Sequence, residues 1–92
     1  FSRQLESIGK PGDIAIGITT SGKSKNVINA LKLAKKKKIT SVILTKKKYL
    51  NKKQIEKVSD LILGVPADET ARIQELHILV GHLMCAVIDE VF

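Results

Sequence analysis

The sequence predicts an α/β fold in which a parallel sheet is flanked by helices, and three observations carry that reading. Residues 13–18 (DIAIGI), 40–45 (TSVILT) and 60–65 (DLILGV) are short runs of β-branched and aliphatic residues, the pattern of strands buried on both faces. The segments between and after them repeat their apolar residues at helical spacing. The resulting order β-α-β-α-β-α requires parallel strands with right-handed crossovers, hence a doubly wound sheet.

The elements follow in order. Phe1, Leu5 and Ile8 stand among polar neighbours as they do in a helix already under way, so the native amino terminus is expected upstream. Pro11-Gly12 sets off the first strand. Over residues 26–37 the apolar positions are Val27, Ile28, Leu31, Leu33 and Ala34, with lysines filling the other face. Residues 50–58 carry a weaker helical pattern between the second and third strands. Pro66 closes the third strand, and Asp68 or Thr70 is placed to cap a helix over residues 71–91. That helix is apolar almost all round, from Ile73 and Leu76 through Leu83 to Ile88 and Val91, which predicts burial on more than one side, against the sheet and another chain or segment.

Composition bounds the function. The chain has 92 residues, 43% hydrophobic and 27% charged, the make-up of an ordinary globular domain. That length leaves a layered α/β sheet short of strands, so a partner is expected. No unbroken apolar run reaches the roughly 18 residues of a membrane span and no leader pattern opens the chain, so a cytoplasmic protein with no membrane partner is expected. The net charge is +7, yet of 16 basic residues only Arg3 and Arg72 are arginines. Lysine is a solvated point charge, and 3% aromatic residues offer little to stack bases on, so the lysine runs read as a solvated face rather than a nucleic-acid surface. Lysines 35–38 fall at a helix carboxyl end, where cations offset the dipole. Cys85 lies among Leu83, Met84, Ala86 and Val87 and reads as a small buried apolar side chain.

The chemistry concentrates in two places. Thr19-Thr20-Ser21-Gly22-Lys23-Ser24 falls where the first strand ends and a helix begins, so the helix amino terminus directs N–H groups at whatever sits there. Four hydroxyls add donors, Gly22 permits close backbone approach, and Lys23 or Lys25 supplies charge. Parallel sheets bind ligands at the carboxyl ends of their strands, where this loop lies. The pattern points to the phosphate of a small sugar phosphate. The bland alternative is a Ser/Thr-rich turn in which Ser24 only caps the helix. The loop is not read as a Walker motif, since no acidic metal-binding strand end accompanies it, and ATP hydrolysis is disfavoured.

The second place is the last helix, where Gln74, Glu75, His77 and His82 interrupt the apolar surface. At about 100° per residue, His77 and His82 stand about 140° apart, a poor joint chelate. Gln74 and His82 differ by about 80° and lie about 12 Å apart along the axis. His82, leaning toward the helix amino terminus, reaches back toward Gln74. Spacing alone favours core or interface histidines over metal ligands, more so for His77. Arg72 and Glu75 read as a local ion pair.

Phe1-Ser2-Arg3, residues 17–24 with Asn26-Val27, and residues 71–77 (ARIQELH) with His82 together resemble the phosphoheptose isomerase family, of the sugar-isomerase (SIS) fold. The likeness covers essentially all of residues 1–92 as the carboxyl-terminal portion of one SIS domain. It implies interconversion of D-sedoheptulose 7-phosphate and D-glycero-D-manno-heptose 7-phosphate, the entry to bacterial surface heptose and lipopolysaccharide synthesis. It implies that Thr19, Thr20, Ser21 and Ser24 bind the substrate phosphate, that Gln74 lines the reaction centre, and that His82 is a catalytic acid/base. Gln74 and His82 are zinc ligands in zinc-bound members, and a homotetramer is implied. The family's remaining ligands and second acid/base belong to the amino-terminal half. Lys46-Lys47-Lys48-Tyr49 stands where the family commonly has a glycine-rich loop. The alternative is a non-enzymatic SIS protein that binds phosphosugar or associates with a replication initiator. Such relatives lack the second histidine, and the presence of His82 favours the isomerase. A sugar-phosphate sensor domain of a transcription regulator is a third reading.

Overall fold

The computed structural model of the chain describes residues 1–47 and 53–92. Its elements run α1 (Ser2–Ile8), β1 (Ile14–Ile18), α2 (Lys25–Lys36), β2 (Thr40–Lys46), α3 (Lys53–Val58), β3 (Leu61–Val65) and α4 (Thr70–Val91). The expected start of the third helix at residue 50, and Lys48 and Tyr49 of the departing segment, lie outside the described residues.

The three strands form one parallel sheet in the order β1-β2-β3. Ile14 stands opposite Thr40 and Ile18 opposite Leu44, while Val42 stands opposite Leu61 and Lys46 opposite Val65. Side chains alternate between the faces. Ile43, with Ala15 and Ile62 beside it, meets Leu31 of α2 and Ile55 and Val58 of α3 in the main core. Leu44 alternates to the opposite face, and α4 packs on β2 and β3. Helices therefore flank the sheet, as the sequence predicts.

Two features seat α2, and with it the loop that precedes it. At Gly17 an added Cβ would lie 2.8 Å from Val27 Cγ1 and 3.3 Å from Leu31 Cδ1, so glycine lets the helix lie close on the strand. At the other end, Lys35 Nζ donates to the Lys57 carbonyl at the close of α3 (2.7 Å), and Lys37 Nζ donates to the Glu6 carbonyl near the close of α1 (2.7 Å). These lysines tie neighbouring helix carboxyl ends, where a cation is favoured, rather than serving only as a solvated face. Ser41 binds the α3–β3 turn in the same way, its N–H donating to Asp60 Oδ2 (2.8 Å) and its hydroxyl to the Val58 carbonyl (2.9 Å).

The structure departs from expectation in three places. β1 is covered on one face only: Ile14, Ile16 and Ile18 are exposed, because α4 lies over β2 and β3 and not over this edge strand. In α4 only Ile73 and His77 are buried. Leu76, Val80 and Met84 are half-buried, its remaining apolar residues are exposed, and Cys85 is exposed among them rather than buried. Finally, neither Asp68 nor Thr70 caps α4; Glu69 occupies the cap position and makes no side-chain cap bond.

By length and composition alone α4 is able to span a bilayer, at 22 residues with a mean hydropathy of 1.3 over its most apolar window. A search for unbroken apolar runs passes over it because Arg72, Gln74, Glu75, His77 and His82 interrupt it. Its first turns bury Ile73 and His77 against the sheet, which makes α4 a layer of the α/β fold.

Candidate functional site

The loop after β1 is a closed network of hydroxyls. The Thr19 N–H donates to the Leu44 carbonyl (3.0 Å), extending the β1–β2 ladder by one step and burying Thr19 to 3% exposure. Thr19 Oγ1 then accepts from the Gly22 N–H (3.0 Å) and shares hydrogen bonds with Ser24 Oγ (3.1 Å) and Ser21 Oγ (3.4 Å). The Ser21 hydroxyl in turn accepts from the Lys23 N–H at 3.1 Å. Gly22 closes the turn at φ 69, a left-handed conformation that favours glycine. Thr20 is half-buried beside this network without a hydroxyl bond to it, and Lys23 and Lys25 are exposed at its rim.

Ser24 is the residue before α2, but its hydroxyl makes no cap bond to the helix and turns to Thr19 instead. A serine present only as a cap would spend its oxygen on an N–H of the first helical turn. Here the hydroxyls of Thr19, Ser21 and Ser24 are gathered at the amino end of a 12-residue helix, at the carboxyl edge of a parallel sheet. That is a cradle for an oxyanion.

Gly17 to Ser24 has the Walker spacing of Gly, four residues, then Gly-Lys-Ser. The structure separates the two cases by position. Gly17 lies inside β1 and serves the packing of Val27 and Leu31, so the loop proper begins only at Thr19.

On α4, His77 and His82 have different surroundings. His77 is buried at 4% exposure, and its Nε2 lies 3.0 Å from the Thr45 carbonyl oxygen at the carboxyl end of β2. Gln74 and His82 are both exposed. Arg72 and Glu75 form the expected local pair at 2.7 Å, in solvent. Among the described residues no group of three or more His, Cys, Asp and Glu side chains is placed to hold a metal ion. Zinc takes four ligands, nitrogen and oxygen donors among them, so Gln74 and His82 fit a zinc site only as a part of it.

The structure thus gathers Thr19, Ser21 and Ser24, sets Thr20 beside them, and leaves Gln74 and His82 on a separate element. Sequence reasoning missed what connects the two. The Leu44 carbonyl holds the loop and the next carbonyl, Thr45, holds His77 of α4. Backbone acceptors carry no residue signature, so no pattern in the letters pointed to them.

This arrangement, a parallel α/β sheet with a hydroxyl-rich loop at its carboxyl edge, is that of the SIS domain. The SIS family profile matches residues 3–91, and the chain belongs to that family. Within it, the chain is 54% identical over 90 residues to the phosphoheptose isomerase of Sulfurimonas denitrificans, covering 98% of this chain and 45% of that protein. It is 49% identical to phosphoheptose isomerase 1 of Campylobacter jejuni, over all of this chain and 48% of the relative. Among solved structures, the phosphoheptose isomerase of Neisseria gonorrhoeae superposes with a TM-score of 0.85 at 42% identity, covering 96% of this chain and 49% of that one. A phosphoheptose isomerase from Francisella tularensis gives 0.87 at 34% identity, covering 98% and 47%. The chain spans about half the length of the relatives it matches.

Proposed function

We propose that the chain is the phosphate-binding portion of an aldose-ketose isomerase that interconverts D-sedoheptulose 7-phosphate and D-glycero-D-manno-heptose 7-phosphate. The hydroxyl cluster at the amino end of α2 carries the reading, supported by the phosphoheptose isomerases that match nearly the whole chain. Thr19, Thr20, Ser21 and Ser24 hold the phosphate, and Lys23 or Lys25 offsets its charge. The sugar then extends toward α4, where Gln74 orients it.

The reaction moves a proton between adjacent carbons through an enediol. One group takes the carbon-bound proton while another handles the oxygens. His82 is the acid/base this chain contributes, because an imidazole both accepts and returns a proton near neutral pH. Its counterpart belongs outside the described residues. Zinc, held in part by Gln74 and His82, supplies polarisation of the substrate carbonyl when bound. The exposed face of α4 suits a homo-oligomer, a tetramer by resemblance, and the product suits surface heptose and lipopolysaccharide synthesis in the cytoplasm.

The test is direct. The complete protein is incubated with sedoheptulose 7-phosphate and the aldose product is followed; no conversion, with phosphate-sugar binding intact, would favour the non-enzymatic SIS reading.

A further inference from the structure

We propose that His77 is a positioning residue: it fixes the rotation of α4 about its own axis and so sets where Gln74 and His82 stand relative to the phosphate loop. The inference rests on the isomerase reading above and concerns a side chain that takes no part in its chemistry. Thr19 of the loop donates its N–H to the Leu44 carbonyl at 3.0 Å, and His77 Nε2 lies 3.0 Å from the very next carbonyl, Thr45. A carbonyl oxygen only accepts, so Nε2 carries the proton and donates it. Both anchor points are buried in the central strand, with Leu44 2% and Thr45 0% exposed. The phosphate loop and α4 are thus hung from adjacent peptide units of one central strand.

The apolar part of the attachment of α4, in which Leu76 and Val80 are only half-buried, sets the rotation less sharply. Ile73 and His77 are the buried residues of the helix among those described, and apolar packing at Ile73 is non-directional. A hydrogen bond has a preferred direction and weakens as it bends, so the His77 bond is what resists rotation. Gln74 is about 60° around the helix from His77, and His82 about 140°. With side chains about 5 to 6 Å from the axis, a 10° rotation moves their polar atoms by about 1 Å. Misplacement of that size costs up to about 100-fold in rate.

The test compares His77→Gln with His77→Asn in the complete protein. The glutamine amide reaches the position of Nε2 and restores the donor to Thr45, whereas the asparagine amide ends near the position of Nδ1 and does not. Both are assayed for kcat and KM with sedoheptulose 7-phosphate, for inorganic phosphate affinity by calorimetry, and for unfolding temperature, with rates taken where each is folded. The expected result is a kcat lowered about tenfold or more in the asparagine variant and largely recovered in the glutamine variant, with phosphate affinity within about twofold of the parent in both. Equal kcat values for the two variants, with only the unfolding temperature changed, would overturn the inference. A parallel loss of phosphate affinity in the asparagine variant would do the same, since the loop would then have moved with the helix. If the asparagine variant fails to fold, His77→Leu replaces it as the variant without a donor; if the glutamine variant fails, the parent serves as the donor-bearing reference, and an asparagine variant with the parent's kcat overturns the inference. A parent that converts no heptose phosphate removes the isomerase reading and this inference with it; an active parent with indistinguishable variants removes this inference alone.

Discussion

Thr19 and Ser24 share a hydrogen bond of 3.1 Å between their hydroxyls, across the turn that joins β1 to α2. Ser24 therefore holds its oxygen inside the loop rather than against the helix it precedes. Under the proposed function, a phosphate would find these oxygens already gathered, with only their protons to reorient. Replacing Ser21 and Ser24 together by alanine should weaken binding of sedoheptulose 7-phosphate to the complete protein by about 1 to 3 kcal/mol, the usual cost of lost hydrogen bonds to a charged group. Calorimetry that gave an unchanged dissociation constant would remove the loop from the site.

Gly17 predicts a stability effect instead. Its missing side chain is the space into which Val27 and Leu31 settle, with Val27 Cγ1 only 2.8 Å from an added Cβ. Gly17→Ala should lower stability by about 1 to 3 kcal/mol, as overpacking of a tight contact does. Denaturant unfolding measures it, and an alanine variant as stable as the parent would mean that α2 slides freely over β1.

The free face of α4 predicts assembly. Ile78, Leu79, Leu83, Val87 and Ile88 are all more than half exposed, and apolar side chains left open along a helix in this number mark an interface. Light scattering should find the complete protein oligomeric, and Leu83→Glu with Val87→Glu should shift it toward smaller species. A parent that is a stable, soluble monomer contradicts this use of the face.

The alternation of apolar runs and helical segments was enough to read the order of elements and the parallel sheet, because each run is short, β-branched and set off by breakers such as Pro11-Gly12 and Pro66. What covers a run is not written in it. Residues 13–18 read as buried on both faces, yet Ile14, Ile16 and Ile18 lie open because β1 is an edge strand in this chain. The same holds for α4, whose all-round apolarity reports that something covers it without saying whether the cover is the sheet or another molecule; Cys85 was misread for that reason. Caps fail differently: Asp68 and Thr70 have the right chemistry, and the cap position falls between them, on Glu69, which makes no cap bond. A helical wheel sets the two histidines about 140° apart and the resemblance singles out His82; that His77 shares the buried side of Ile73 comes from the structure. The tie between loop and helix through Leu44 and Thr45 was out of reach, being made by backbone carbonyls.

The most direct measurement is turnover by His82→Asn in the complete protein, read beside its affinity for sedoheptulose 7-phosphate. His82 is exposed on α4 and the phosphate loop lies on another element, so the two properties should separate. The predicted result is isomerisation reduced by at least about 100-fold, the scale of a lost general acid/base, with the dissociation constant for the sugar phosphate nearly unchanged. Isomerisation at the parent rate would contradict the role of His82 and bring the non-enzymatic SIS reading to the front.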